Sequence, residues 1–207
     1  MSVRPTKIVC VGRNYAKHAQ ELGNEVPEEP LIFLKPPSAV VADGEAIVRP
    51  RGAGRVDFEG EIGLVMGRRA RKVAAGDAWA YVSELVPLND VTARDLQRSD
   101  GQWTRAKGFD TFCPVGTPVP LNDIDVGALA VVTRVNGQVR QEAAASDMVF
   151  DIPTLVAHIS GIMTLEPGDI IATGTPEGIG PLEAGDEVEV EVRGVGTVRN
   201  PVRDEDA

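Results

Sequence analysis

The chain has 207 residues, is 43% hydrophobic, and carries 31 acidic against 21 basic side chains, a formal net charge of -10. That length allows one large domain or two small ones, and the apolar fraction suffices for a core. The acidic balance argues against nucleic acid and anionic membrane surfaces as partners.

Two cysteines, Cys10 and Cys113, cannot make a disulfide framework, and their scarcity fits a reducing compartment. Met1 to Lys7 lacks the apolar core of a signal peptide. No apolar run approaches the roughly 20 residues that span a bilayer. A soluble, cytoplasmic protein is expected.

Taken in chain order, Ile8–Val11 reads as a strand stopping at Gly12. Asn14 is placed to cap a short helix through Leu22, with Gly23 as its terminator. Residues 23–30 are polar and acidic, a mobile loop. Leu31–Leu34 is a second strand, closed by Pro36-Pro37, and Ala46–Val48 a third. Asp57-Phe58-Glu59-Gly60-Glu61 reads as one strand leading into the apolar run Ile62 to Gly67. Residues 77–84 and Thr92–Arg98 are expected to be helical. Asn136-Gly137 between two β-rich runs is a hairpin signal. Asp151 caps a helix to about Ser160, with Pro153 in its first turn. Ile170–Thr173, Glu187–Arg193 and Thr197–Pro201 are strands, and residues 203–207 are expected to fray. With no repeat and no linker, residues 1–207 read as a single, mixed, mostly β domain.

Three carboxylates stand out. Side chains alternate along a strand, so Glu59 and Glu61 share a face, where like charges repel. Asn89-Asp90 ends the apolar run Leu85 to Leu88 and offers a third. An all-oxygen set without His or Cys suits Mg²⁺, Mn²⁺ or Ca²⁺ rather than Zn²⁺. A bare Glu-x-Glu is equally the wet face of a strand, which is how Glu187, Glu189 and Glu191 read, since they alternate with valine. The buried run after Glu61 weighs toward a site.

His18 and Glu21, three apart on the short helix, share a face as a base and its orienting carboxylate do, or as any surface pair does. Between strand and acidic loop, that helix is placed to act as a lid. His158 lies among Leu155, Val156, Ile159 and Ile162 and reads as packing or surface. Lys107, between Ala106 and Gly108, either points at an anion or is a surface lysine. Gly174 to Gly180 is glycine-rich but lacks the ending of a phosphate loop; its N–H groups and Thr175 hydroxyl either hold a small carboxylate or form a plain turn.

Six stretches together resemble the fumarylacetoacetate hydrolase family, in particular its short acylpyruvase-like members. They are Val11-Gly12-Arg13-Asn14-Tyr15 with His18, Phe33 to Pro36, Asp57 to Glu61, Asn89 to Asp95, Lys107 to Phe112, and Gly174-Thr175-Pro176. The resemblance implies an α+β, mostly β fold: a mixed β-sandwich roll with a few short helices, without the N-terminal domain of larger members, and homodimeric. It implies Mg²⁺ or Mn²⁺ on Glu59, Glu61 and Asp90, with His18, Glu21 and Lys107 catalytic and Arg13, Arg94, Gln97 and Thr175 binding substrate. It implies hydrolytic C–C cleavage of a 2-oxo acid with a second carbonyl two carbons on. Oxaloacetate decarboxylation or tautomerisation, or isomerisation of an unsaturated 2-oxo diacid, would use the same centre. A non-catalytic dicarboxylate binder would not need His18 with Glu21.

Overall fold

The computed structural model describes residues 5–206. Among the described residues, sixteen strands alternate with four short α-helices and several 3₁₀ turns. The first half runs β1 (Ile8–Gly12), α1 (Ala16–Glu21), β2 (Leu31–Lys35), β3 (Val40–Val41), β4 (Ile47–Arg49), β5 (Val56–Phe58), β6 (Gly60–Met66), β7 (Val82–Asn89), β8 (Thr92–Ala93), α2 (Arg94–Ser99) and α3 (Thr104–Lys107). The second runs β9 (Cys113–Pro114), β10 (Val119–Pro120), β11 (Ala130–Val135), β12 (Gln138–Ala144), α4 (Ile152–Ile162), β13 (Ile170–Ala172), β14 (Gly180–Pro181), β15 (Glu187–Val192) and β16 (Gly196–Asp204).

A six-stranded mixed sheet, ordered β10-β7-β6-β13-β1-β2, faces a five-stranded sheet ordered β12-β11-β15-β16-β4. Val9, Val11, Ile62 and Leu64 of the first meet Val131, Val190, Val192 and Val198 of the second in the main core, which α4 closes with Leu155, Val156 and Ile159. The opposite faces of β1 and β6 are buried too, Ile8, Cys10 and Val65 packing with Val86, Leu88 and Cys113. Burial on both faces explains why β1 and β6 read as continuous apolar runs. Each such aliphatic side chain contributes about 1.5–3 kcal/mol on leaving water. Cys10 and Cys113 are unpaired and buried, which pushes both thiols up, Cys113 to about 12.

A three-stranded sheet, β14-β5-β8, covers a second core around Phe58, Val91 and Phe112. Asp57 to Glu61 is therefore not one strand. β5 belongs to this small sheet and β6 to the large one, with the break at Glu59. Side chains cause it: Asn89 Oδ1 accepts from the Glu59 N–H (2.9 Å) and Gln141 Oε1 from the Gly60 N–H (3.0 Å). Residues 75–81 form a 3₁₀ helix that takes in 77–81 of the expected helix, and from Val82 the chain pairs with β6, so 82–84 are strand instead. Thr92 and Ala93 pair with β5 before α2 begins. Asn14 does not cap α1, whose N-cap is Tyr15; its amide is used elsewhere. Residues 203 and 204 are paired in parallel with Val48 and Arg49 rather than frayed, while Ala207 and Met1 to Arg4 lie outside the described residues.

The Asn136-Gly137 hairpin forms with both residues at positive φ (51° and 76°), the backbone that two-residue turn requires. Asp151 caps α4 by accepting from Thr154 N–H (2.9 Å). Glu187 is exposed, and Glu189 and Glu191 pair with Arg134 at 2.9 and 2.7 Å. No helix among the described residues is long and apolar enough to cross a membrane.

Gly60 sits where the two main sheets touch. A Cβ there would lie 2.0 Å from Thr133 Oγ1, itself a buried hydroxyl without a partner. Gly60→Ala is expected to cost about 1–3 kcal/mol by overpacking. Thr133→Ala in the same chain should recover most of that loss in urea denaturation; a purely additive double variant would contradict the contact.

Candidate active site

Seven buried charges converge where β2, the β5–β6 junction, the end of β7, α2 and α3 meet. Asp57, Glu59, Glu61 and Asp90 supply four carboxylates; Lys35, Arg94 and Lys107 supply three cations, and none is more than 5% exposed. Arg94 donates from Nε to Asp57 Oδ2 (3.0 Å), from Nη2 to Glu59 Oε1 (2.6 Å) and from Nη1 to Gln97 Oε1 (2.5 Å). Lys107 Nζ bridges Glu59 Oε2 (2.8 Å) and Asp90 Oδ2 (2.6 Å). Lys35 Nζ holds Asp90 Oδ1 (2.6 Å) and the Val91 carbonyl (3.0 Å). Lys107 also lies over the Phe33 ring, 4.8 Å from its centroid.

Glu61 differs from the other three acids, because no cation among the described residues touches it. Its one partner is the Gly174 N–H, 2.7 Å from Oε2. Burial, then Asp90 and Glu59, push its carboxyl well above the usual range. Burial also raises Glu59, but Lys107 and Arg94 outweigh it and hold Glu59 well below the usual range. Lys107 loses from burial but gains more from Asp90 and Glu59, so its ammonium is held above its ordinary value. One ligand oxygen each from Glu59, Glu61 and Asp90 lies within 4.8 Å of the others. Arg55 reaches in from the surface to Asp57 (2.6 Å), so Asp57, Glu59 and Asp90 each have a cation partner and Glu61 is the acid left without one, the place a divalent ion would fill. The all-oxygen donor set suits a hard cation. The three residues therefore fit such an ion.

Above the acids opens a cleft of about 420 Å³, its open mouth included. His18, Glu59, Glu61 and Lys107 line it, as do Arg13, Arg94, Gln97 and Thr175. Asp90 and Glu21 do not line it; they contact two residues that do, Lys107 and His18. His18 is 4% exposed, and its Nδ1 faces Glu21 Oε2 at 3.3 Å. An ionised carboxylate only accepts, so Nδ1 carries the hydrogen and Nε2 keeps its lone pair. Burial lowers the imidazole pKa more than Glu59 and Glu21 raise it, which favours the neutral ring. His158 lies on α4, away from this cleft.

The glycine-rich loop serves the protein's own acids. Gly174 N–H binds Glu61, and Gly178 N–H binds both Glu21 oxygens at 3.1 and 3.3 Å. The Thr175 hydroxyl donates to the Gly60 carbonyl (2.9 Å) and accepts from Gln141 Nε2 (2.8 Å), so its proton is already committed. Gln141, Asn89, Asp57 and Lys35 were not singled out from sequence. Lys35 had a signal, a lysine closing an apolar strand before Pro36-Pro37; Gln141, on the exposed hairpin strand β12, had none.

The chain matches the Fumarylacetoacetate (FAA) hydrolase C-terminal family over residues 7–203. It is 44% identical to the mitochondrial oxaloacetate tautomerase of Arabidopsis thaliana, over 94% of this chain and 89% of that one. Among solved structures, 5-carboxymethyl-2-hydroxymuconate delta-isomerase from Mycobacterium smegmatis superposes with a TM-score of 0.92 at 47% identity, covering 99% of this chain and 81% of that one. Fumarylpyruvate hydrolase from Pseudomonas aeruginosa, solved with Mn²⁺ and pyruvate, superposes with a TM-score of 0.90 at 31% identity, covering 96% and 90%. The chain belongs to the fumarylacetoacetate hydrolase family, and its mostly β fold is the one that family shares.

Lys35→Met keeps the volume and deletes the charge beside Asp90. Removing one member of a buried pair costs about 3–5 kcal/mol; because Lys107 stays on Asp90, the expected loss is about 3 kcal/mol. An unchanged urea midpoint would show that Lys35 is not part of the buried charge balance.

Proposed function

We propose that the chain is a divalent-metal-dependent hydrolase that cleaves the C–C bond of acylpyruvates or related 2,4-dioxo acids. The observation that carries this reading is His18, its Nδ1 facing Glu21, on the same cleft as the carboxylate cluster. Glu59, Glu61 and Asp90 would hold Mg²⁺ or Mn²⁺; the oxygen donors support it, as does the Mn²⁺ in the fumarylpyruvate hydrolase relative. A cation there would act as a Lewis acid on the 2-oxo carboxylate end of the substrate.

The chain's own groups do the rest. His18 Nε2 takes a proton from water, whose oxygen attacks the distal carbonyl. As the C–C bond breaks, the imidazolium returns a proton to the departing carbon, leaving a carboxylic acid and a 2-oxo acid. Lys107, a fixed buried ammonium, offsets negative charge building in the cleft. Glu21, held by the Gly178 N–H, keeps His18 in the tautomer this requires. Arg94 and Gln97 shape the wall beside Glu59. The reading extends to a cytoplasmic homodimer; in its support, β2 is an edge strand with Leu31 and Leu34 exposed.

A second reading is oxaloacetate decarboxylation or tautomerisation, favoured by the name of the 44% identical Arabidopsis relative. The isomerase from Mycobacterium smegmatis supports a third variant on an unsaturated 2-oxo diacid. Neither needs an activated water.

His18→Ala separates them. Acylpyruvate hydrolysis should fall by roughly 10²–10⁴, the usual worth of a general base, while oxaloacetate turnover by the same variant falls much less. Asp90→Ala should abolish both, and chelation should do the same until Mg²⁺ or Mn²⁺ is returned. Because burial lowers the His18 pKa, hydrolysis should persist below the free imidazole value of about 6.5 and decline as the ring takes up its proton. Full hydrolysis by His18→Ala would sink the water-activating role.

A further inference from the structure

We propose that Arg13 recognises a second carboxylate on the substrate, so that the cleft selects 2-oxo diacids over 2-oxo monoacids. The proposal deepens the functional reading above and rests on it for the position of the first carboxylate.

Three cations line the cleft beside the imidazole of His18: Arg13, Arg94 and Lys107. Arg94 is committed to Asp57 and Glu59, and Lys107 to Glu59 and Asp90. Among the described residues, Arg13 makes no ion pair and its side chain makes no hydrogen bond. It is half-buried on the wall, with its charge available to a ligand.

The backbone supports the same reading. Arg13 has φ 58°, the left-handed region that few non-glycine residues adopt. The turn is over-determined. Asn14, fully buried, donates from Nδ2 to the Phe150 carbonyl (3.0 Å) and the Thr173 carbonyl (2.8 Å), and accepts from Phe150 N–H (2.8 Å). Gly174 packs so closely on this turn that a Cβ there would lie 2.8 Å from Asn14 Cβ and 3.1 Å from the Val11 carbonyl oxygen. If position 13 only joined β1 to α1, glycine would serve with less strain. Strain held in place by its surroundings, beside a cleft, points to a use for the side chain. A guanidinium matches a carboxylate in a planar, two-pronged contact that a point charge does not. The shared 2-oxo acid end goes to the carboxylate cluster, so the anion left for Arg13 is at the other end.

The test compares fumarylpyruvate, a dianion, with acetylpyruvate, a monoanion, since hydrolysis breaks the same bond in both. Arg13→Gln should lower kcat/KM on fumarylpyruvate by about 30-fold or more and on acetylpyruvate by less than about 3-fold, the differential of one charge-assisted contact. Arg13→Lys should fall between. Arg13→Gly relieves the left-handed backbone, so it should lose the same selectivity with an undiminished melting temperature. Equal losses on both substrates, or none on either, would overturn the proposal. Binding of 2-oxoglutarate and 2-oxopentanoate to the Mn²⁺-loaded protein, followed by Trp103 fluorescence in the cleft, needs no turnover. Preference for the diacid in the wild type, lost in Arg13→Gln, is expected. That result without activity on any 2-oxo acid would defeat the hydrolase reading and keep Arg13; no preference in an active enzyme would do the reverse.

Discussion

One constraint organises this molecule: four carboxylates are buried together and must be balanced. An isolated carboxylate taken from water costs several kcal/mol even after the protein relaxes. The fold meets that cost by bringing cations from three separate places, Lys35 from the end of β2, Arg94 from the start of α2 and Lys107 from the end of α3. The break at Glu59 follows from the same requirement. Handing the Glu59 and Gly60 N–H groups to Asn89 and Gln141 lets one chain segment leave the small sheet, turn its two acids to one point and enter the large sheet. Stability and site are therefore the same set of contacts, and loss of any one cation leaves a buried acid with one partner where it had two.

Glu61 is the asymmetry in that balance. Its neighbours Glu59 and Asp90 are each paired with lysine, and it alone rests on a backbone N–H. A cluster fully neutralised by lysines would be closed to ligands. A cluster with one acid left without a cation partner, opening on a cleft, has room for a hard cation and, through it, for an oxygen-rich acid. A divalent cation held there would answer how a chain of net charge -10 could accept an anionic substrate. Charge at the cleft floor, not the global field, decides whether the anion is held, because interactions there are poorly screened.

Much of this was legible in the sequence wherever local chemistry sets the answer. Asn136-Gly137 dictates its turn, Asp151 its cap, and the valine-alternating acids of β15 their wet face. Glu59, Glu61 and Asp90 were legible as a group because carboxylates leading into apolar strands are costly without a reason. What local reading missed was set by long-range contacts. Asn14 fits a helix cap by spacing, yet its amide is taken by Phe150 and Thr173, 136 and 159 residues away. The break at Glu59 depends on Gln141, whose strand gives no hint that one side chain turns inward. Thr175 lines the cleft, but its hydroxyl proton goes to the Gly60 carbonyl, which no local pattern announces. Residues 203 and 204 look like a frayed end until β4 is found beside them.

The central claim is that the Glu59–Glu61–Asp90 cluster is a divalent-cation site made by an incomplete internal charge balance. Crystals of the protein grown with Mn²⁺, with data collected at the manganese absorption edge, test it most directly. The account predicts a single anomalous peak among carboxylate oxygens of Glu59, Glu61 and Asp90, absent from isomorphous crystals of Glu61→Gln. A peak bound elsewhere, or none at the cluster under saturating Mn²⁺, would contradict it.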